Sequence, residues 1–271
     1  MRATGRLKNS AGVSILEVLI ALIITGIITT AIFRLYVTQH KNYLIQDDIT
    51  EIQQSARAAI DELSRHIRVA GNNLPNGIAP LEASNTNPDT ITLTYRVDNC
   101  QAVLDSTMAY PGAELACGSS VSCFNTGDWV YIFHPDSGGG EWFTITGLVT
   151  GSNIIQHSTP LSQAYVKDAI VISLQQVKFY VDETTDPSHP NLMLKLPGQT
   201  PQVYAENISD IEFRYRLKNG TVVDLPILVD DVREVIMTIT ARSRTPDAED
   251  SGDPYRTRTY TSSVNIRNLG A

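Results

Sequence analysis

Two residues near the start of the chain, Gly12 and Glu17, have types and a spacing that could do chemistry. Glu17 is the only charged residue among the 21 residues from 13 to 33, which are otherwise uncharged and mostly apolar. An acidic residue within hydrocarbon costs about 2.5–3.5 kcal/mol on insertion scales, so an isolated carboxylate there is either protonated or paired. Gly12 is a small residue five positions earlier, directly before the apolar segment. Glu17 is therefore a candidate for an ion pair, and the place of Gly12 before the apolar segment is the second feature to explain.

The apolar segment 13–33 must position both residues. At about 1.5 Å per residue, a helix of this length crosses the roughly 30 Å hydrocarbon core of a bilayer. The arm that precedes it, 1–12, carries no acid and three cations, Arg2, Arg6 and Lys8. The positive-inside rule therefore predicts a cytoplasmic arm, with the remainder of the chain on the other side of the membrane.

The order of these features differs from that of a secretory signal, which places its small-residue cleavage site after the apolar segment. The pattern Gly12-Val13-Ser14-Ile15-Leu16-Glu17 resembles the type IV prepilin signal, with Val13 where the family usually has phenylalanine and Ser14 where threonine is common. The resemblance implies that a dedicated peptidase cuts between Gly12 and Val13 and methylates the new amine of Val13. It also implies that Glu17 acts in assembly, paired with the N-terminal ammonium of a neighbouring subunit. A glutamate that snorkels to the lipid headgroups is the alternative.

Two other interpretations of the segment remain. A plain signal anchor explains the apolar segment and the basic arm, but it gives no reason for Glu17. Cleavage by the ordinary signal peptidase after Ala31 would release a soluble protein, but it would also sever a helix that continues beyond that residue.

The helical pattern extends well past the apolar segment. From 34 to 70 the sequence has no Gly or Pro, and Gly71-Asn72-Asn73 followed by Pro75 predicts the end of the helix. Apolar residues recur at steps of three and four, which forms one stripe. The stripe contains Ile45, Ile49, Ile52, Ala56, Ile60, Leu63, Ile67 and Ala70.

The rest of the chain has the alternating pattern of strands. Strands are predicted over 90–97, 129–133, 142–146, 169–181, 192–196, 208–217, 232–242 and 255–266, with 129–133 and 142–146 as a hairpin. No second amphipathic helix of comparable length is present in the sequence. The predicted fold class is therefore α+β, with a long N-terminal pilin-type helix, membrane-spanning in its first half, packed against an antiparallel β-sheet globular domain. Two stretches, 100–126 and 245–254, are expected to lie outside the core.

The chain is accordingly divided into four segments. These are a leader peptide, 1–12; a transmembrane or filament-core helix, 13–37; an amphipathic helix packed on the head, 38–72; and a β-rich globular head, 73–271.

Three cysteines, Cys100, Cys117 and Cys123, fall within one window of 24 residues. A location outside the membrane permits a disulfide, and an odd number leaves one thiol over. We predict one intramolecular disulfide among the three, with the pairing open. Three buried thiols are the alternative.

Signals for catalysis are weak. Asp136-Ser137-Gly138-Gly139 is similar to the sequence around the nucleophile of trypsin-like proteases, but a triad needs a histidine base and a buried acid. None of the five histidines stands in that family's local pattern, and a hairpin turn is the better interpretation. They are His40, His66, His134, His157 and His189. There is also no Gly-rich phosphate loop, zinc helix motif or CxxC, so neither an enzyme nor a cofactor is predicted.

The charge of the chain also limits its partners. The formal net charge is −8 and becomes −11 once the three cations of the arm are removed. An acidic exported domain without a basic, aromatic-rich patch has no electrostatic reason to bind nucleic acid. The acidic loop could hold calcium, but its spacing is not that of an EF-hand loop, and a solvated loop without metal is favoured. Its acids are Asp247, Glu249, Asp250 and Asp253.

A second resemblance narrows the family. The end of the helix, Arg68-Val69-Ala70-Gly71, is typical of PilW-type minor pilins, and the segments 205–216, 232–243 and 264–269 are similar to the same family. The likeness covers the first 73 residues and, less closely, 205–269. It leaves the middle of the chain uncovered, and its C-terminal part also suits the J-type pseudopilin of type II secretion.

The resemblance implies a minor pilin that initiates assembly of a type IV pilus or sits near its tip, with roles in motility and adhesion. The implied partners are other minor and major pilins, the prepilin peptidase, the inner-membrane assembly platform and the membrane itself. The implied location is a single pass of the inner membrane with a periplasmic head, and then the pilus at the cell surface. Two alternatives stay open: a J-type minor pseudopilin, and a membrane-anchored adhesin or enzyme whose leader is coincidental.

Overall fold

The computed structural model of the chain describes residues 12, 14–75, 77–136, 139–226, 228–246 and 254–268. The arm before Gly12, residue Val13 and the acids of the loop 247–253 lie outside the described residues. The chain divides into two compact units, Met1–Thr50 and Glu51–Ala271. The division falls within one helix.

That helix, α1, spans Ile15–Val69, so the helix predicted from residue 13 to residue 70 is confirmed to within two residues at each end. It ends as the sequence indicates. Gly71 has a φ of 79°, in the left-handed region that glycine adopts without a steric penalty. The Gly71 N–H then donates to the Thr94 carbonyl oxygen at 2.9 Å, which fastens the end of the helix to the neighbouring sheet.

Within the described residues, the other elements are fifteen strands and one short 3-10 helix, Val229–Asp231. The strands are β1 Leu81–Ser84, β2 Thr90–Tyr95, β3 Gln101–Val103, β4 Leu115–Ala116, β5 Trp129–Phe133, β6 Gly140–Val149, β7 Ile154–His157, β8 Ile170–Ile172, β9 Gln175–Asp182, β10 Asn191–Lys195, β11 Gln202–Ala205, β12 Ile208–Leu217, β13 Val222–Val223, β14 Val232–Arg242 and β15 Thr257–Asn265.

The strands form three sheets in which the paired strands are antiparallel. Their orders are β1-β2-β9-β10-β11, β13-β12-β14-β15 and β3-β8-β5-β6-β7-β4. A helix packed against antiparallel sheets is an α+β fold. The predicted hairpin is confirmed, because β5 pairs with β6 in a register that places Trp129 opposite Thr144.

The second half of α1 packs into the main core. Five of its side chains are almost completely buried: Ile52, Ala56, Ala59, Leu63 and Ile67. They share one cluster with side chains of the five-stranded sheet, such as Phe179, and of the four-stranded sheet, such as Met237. All but Ala59 belong to the predicted stripe, so this part of the stripe packs against sheets of the same chain. We call this cluster the helix-packed core.

A second core lies in the six-stranded sheet and contains no residue of α1. It shows that the expectation of a peripheral stretch over 100–126 is wrong. Short strands and loops escape a periodicity search, yet eight side chains of that stretch are buried in this second core. They are Cys100, Ala102, Leu104, Met108, Leu115, Cys117, Val121 and Phe124.

The strand predicted over 169–181 is also corrected, because it is two strands in different sheets. β8 belongs to the six-stranded sheet and β9 to the five-stranded sheet, with Ser173 and Leu174 between them. β8 is apolar throughout and only three residues long, and only two residues separate its end from the start of β9, so the sequence shows no turn signal of Gly or Pro at the break. Leu174 packs with Phe133 and Ile172 in a small cluster of its own.

Candidate functional site at the start of the helix

The first turn of α1 is built around Ser14 and Glu17. The Ser14 N–H donates to Glu17 Oε2 at 3.2 Å, and Ser14 Oγ accepts from the Leu16 N–H at 3.3 Å. The Ser14 carbonyl oxygen accepts the first helical bond from the Val18 N–H at 3.2 Å. Ser14 is therefore the N-cap residue, with its hydroxyl bonded to the second helical N–H, and Glu17 supplies the returning bond of a capping box.

The capping box gives the carboxylate of Glu17 a partner within its own chain. It also places a negative charge at the positive end of the helix dipole, which is the favourable arrangement. A carboxylate can accept hydrogen bonds at about four lone-pair positions. One backbone N–H does not use this capacity up, so Glu17 can still accept from a cation that approaches the start of the helix.

A shallow groove beside Glu17 is lined by Val18, Ala21, Leu22 and Thr25. Ala21 and Thr25 follow the glutamate at steps of four, so the three lie along one side of the helix. Small side chains at this spacing let a second helix approach closely in a membrane. The carboxylate thus stands at the end of a surface that suits helix packing.

The helix around this site is apolar and exposed. Ile15 is 86% exposed and Leu22 is 67% exposed, and the large apolar side chains continue in this way to Leu44. Among the described residues, one helix, α1, contains a window that is long and apolar enough to cross a membrane, and none of that window is buried within the protein. Monomeric soluble proteins rarely expose so large an apolar patch. This segment is therefore compatible with a single membrane anchor.

The helix passes through Ala31 and Ile32 without a break. The Thr30 hydroxyl donates to the Gly26 carbonyl oxygen at 2.8 Å, which is a regular contact inside a helix. A signal peptidase that cut after Ala31 would have to divide an intact helix.

Gly12 is exposed, and a Cβ built on it would meet no atom within 4 Å. It also lacks the positive φ that favours glycine. The fold therefore gives no reason for a glycine at this position. The other residue of the predicted cleavage site, Val13, lies outside the described residues.

Two of the three cysteines form a disulfide, and the third is a free thiol. Cys100 and Cys123 are bonded, with 5.7 Å between their Cα atoms, and Cys117 is free and buried. The predicted single disulfide is confirmed, and the alternative of three thiols is wrong. Burial raises the pKa of the Cys117 thiol to about 11, so this thiol is inert at neutral pH.

The histidines are engaged in local contacts. His66 bonds Tyr95 Oη at 2.8 Å and Glu62 Oε1 at 3.0 Å, and His157 lies 2.8 Å from the Thr159 carbonyl oxygen. His189 contacts Asp186, His134 Nδ1 accepts from the Asp136 N–H, and His40 stacks on Tyr36. Ser137 and Gly138 lie outside the described residues. Within the described ranges, no group of three or more His, Cys, Asp or Glu side chains could hold a metal ion; the acids of the loop 247–253 fall in a gap between those ranges.

Sequence reasoning placed Glu17 correctly at the start of the helix but missed its bond to Ser14. The signal was present, since Ser-x-x-Glu before an apolar segment is the pattern of a capping box. No protein-family model, curated protein or solved structure matches this chain. The resemblance to pilins therefore depends on the sequence motifs quoted above.

Proposed function

We propose that the protein is a minor pilin of the PilW type, made as a prepilin and cut between Gly12 and Val13, which initiates assembly of a type IV pilus or sits near its tip. In this proposal the apolar part of α1 holds the subunit in the inner membrane and later in the filament. The β-sheet head carries the contacts outside the membrane.

One observation supports the proposal most strongly. A glycine that the fold does not require stands directly before an exposed apolar helix, whose only charge up to residue 33 is a glutamate in the first turn. A plain anchor needs neither residue. A peptidase that recognises glycine and a neighbour that recognises the carboxylate account for both.

The capping box supports a division of roles before and after the cut. In the precursor, the Ser14 N–H holds the carboxylate of Glu17 against the start of the helix. The cut creates an ammonium on Val13, next to Ser14 in the chain. An ammonium on a neighbouring subunit can then pair with Glu17, and a charge-assisted bond of this kind is about twice as strong as a neutral one. Docking along the groove at Ala21 and Thr25 would bring the two helices close enough.

The test follows the subunit through maturation. The precursor is co-expressed with a prepilin peptidase, and we expect the mature chain to begin at Val13 and to enter filaments made by the assembly platform. Glu17→Gln keeps the size and removes the charge, so it should leave cleavage intact and lower incorporation. Normal incorporation of Glu17→Gln, under conditions where deletion of the protein abolishes piliation, would contradict the assembly role.

The proteins that co-purify with the mature chain distinguish the pilus from type II secretion. Recovery of major and minor pilins is the expected result. Recovery of pseudopilins would instead assign the chain to a type II secretion system as a J-type subunit. A chain that is never cut would assign it to the membrane-anchored alternatives.

A further inference from the structure

The outer face of the five-stranded sheet carries a row of polar side chains across four neighbouring strands. Glu82 on β1 is opposite Thr92 on β2, Thr92 is opposite Lys178 on β9, and Lys178 is opposite Lys195 on β10. Directly opposite residues in an antiparallel sheet point to the same face. Their sequence neighbours, such as Phe179, point into the helix-packed core, so the row faces away from it.

The two lysines of this row form an unusual pair. Like charges directly opposite each other on adjacent strands destabilise a sheet, and both side chains are exposed. None of the ion pairs between described residues includes Lys178 or Lys195. The Lys178 ammonium instead lies 5.8 Å from the centroid of the Tyr180 ring. An acidic protein thus places two cations side by side, and among the described residues no carboxylate lies within ion-pair distance of either one.

The row forms the floor of a groove that also has an apolar wall. Its volume is about 300 Å³, at the lower end of the range of ligand sites. Leu196 and Pro197 line it together with the polar row and Gln176. The following residue, Gly198, lies against the indole of Trp129, because a Cβ on it would stand 3.2 Å from that ring. The loop that forms the apolar wall is therefore supported by an aromatic side chain of β5.

The acid in the row, Glu82, stands on β1, two strands from Lys178 and three strands from Lys195. The groove thus offers two ammonium groups toward one end, a carboxylate at the other, and an amide and a hydroxyl from Gln176 and Thr92 between them.

We propose that this groove binds an acidic saccharide, with the carboxylate of a uronic acid on Lys178 and Lys195 and the sugar hydroxyls on Gln176, Thr92 and Glu82. The mixed charges favour this ligand over a bare anion. Inorganic phosphate is too small to reach from the lysines to Glu82, which lies two strands from Lys178 at about 4.8 Å per strand, and the carboxylate of Glu82 repels it. A uronate satisfies both ends, because its carboxylate accepts from the lysines and its hydroxyls donate to the glutamate. The apolar face of the sugar ring can rest on Leu196 and Pro197.

The experiment uses the full chain in detergent micelles and isothermal titration calorimetry with three probes. They are trigalacturonate, the neutral trimer of galactose, and inorganic phosphate. We expect trigalacturonate to bind and the neutral trimer to bind with an affinity lower by about tenfold or more, because hydrogen bonds to charged groups provide most of the binding free energy. The affinity for trigalacturonate should fall with added salt.

Variants separate the two ends of the groove. Lys178→Gln with Lys195→Gln should weaken trigalacturonate binding about tenfold or more. Lys167→Gln is the control: it removes an exposed lysine near the six-stranded sheet and should leave the affinity for trigalacturonate unchanged. Glu82→Gln should weaken trigalacturonate but not phosphate. The double lysine variant should melt no lower than the parent, since a like-charge contact is removed.

Three results would overturn the proposal. They are equal binding of trigalacturonate by the double lysine variant, equal binding of the neutral trimer, and binding of phosphate without trigalacturonate. The site is independent of the proposed role in the pilus, so each proposal can fail without the other.

Discussion

The two halves of α1 are made of similar apolar residues but are used in opposite ways. Leu22 in the first half is 67% exposed, whereas Leu63 in the second half is completely buried. The first half is apolar on every side, and the second half is apolar along one stripe. One continuous helix thus carries two patterns that suit two different surroundings.

This difference indicates what buries the apolar side chains of each half. The stripe at Ile52, Leu63 and Ile67 is satisfied by the sheets of the same chain, so its residues determine the stability of the head. The apolar segment is not buried by the described residues of the chain, so its apolar side chains must be covered by lipid or by another molecule. Substitutions in the two halves should therefore affect different properties.

Paired leucine substitutions test this comparison with the largest expected effect. Leu63→Ala should lower the free energy of unfolding of the head by about 2–5 kcal/mol, because it leaves a cavity in the helix-packed core. Leu22→Ala should leave the free energy of unfolding of the head unchanged. Denaturant unfolding of the full chain in micelles, followed by the fluorescence of Trp129 and Trp142, measures both. Similar losses in the two variants would break the comparison.

The same comparison explains what the sequence could predict. The bounds of α1, and of β12 and β14, follow from long periodic segments, and these strands match the predicted ranges residue for residue. The six-stranded sheet was predicted only at its hairpin of β5 and β6, because β3, β4 and β8 have only two or three residues each, too few to show a period. Its core depends on loops and distant pairings, which local patterns do not encode.

The candidate site shows the same limit. Glu17 was found because a lone charge in an apolar segment stands out in composition. Its bond to the Ser14 N–H was not found, since it depends on the conformation of one turn. The pairing of Cys100 with Cys123 was left open for a similar reason, because spacing alone does not select one pair among three cysteines.

The core of the six-stranded sheet contains no residue of α1, and we expect the disulfide to contribute to its stability instead. The bridge joins residues separated by 23 positions. In the chain-entropy model a loop of this size contributes about 3 kcal/mol. Replacing Cys100 and Cys123 together by serine should cost about that amount in the free energy of unfolding, seen as a lower denaturation midpoint. Cys117→Ala serves as the control with the bridge intact. An unchanged midpoint in the double variant would show that the core of the six-stranded sheet holds without the bridge.

The free thiol gives a smaller and more local test. Thiol counting under denaturing, non-reducing conditions should find one thiol, Cys117. In the native protein the reaction should be slow, because the thiol is buried and its pKa is raised to about 11, so about one thousandth is thiolate at pH 8. The rate should rise as the pH rises toward that pKa. Fast labelling at pH 7 would contradict the burial of Cys117.

The smallest effect on stability is expected at the start of the helix. Ser14→Ala removes the N-cap hydroxyl and should cost about 1 kcal/mol locally, seen as faster hydrogen exchange in the first turns. The melting temperature of the head should not change in Ser14→Ala or in Glu17→Gln. A lower melting temperature in either variant would show that the first turn contributes to the stability of the head, against the division of roles between the two halves.

The central claim is that the exposed half of α1 begins at a processed end, and the intact mass of the mature protein tests it most directly. After co-expression with a prepilin peptidase, the mass should correspond to a chain that lacks residues 1–12 and begins at Val13, with or without one methyl group. Gly12→Leu should remain at full length in the membrane, and because a side chain at this position meets no neighbour, its fold should be unaffected. An uncut wild-type chain, or one that begins at Ile32, would contradict the account.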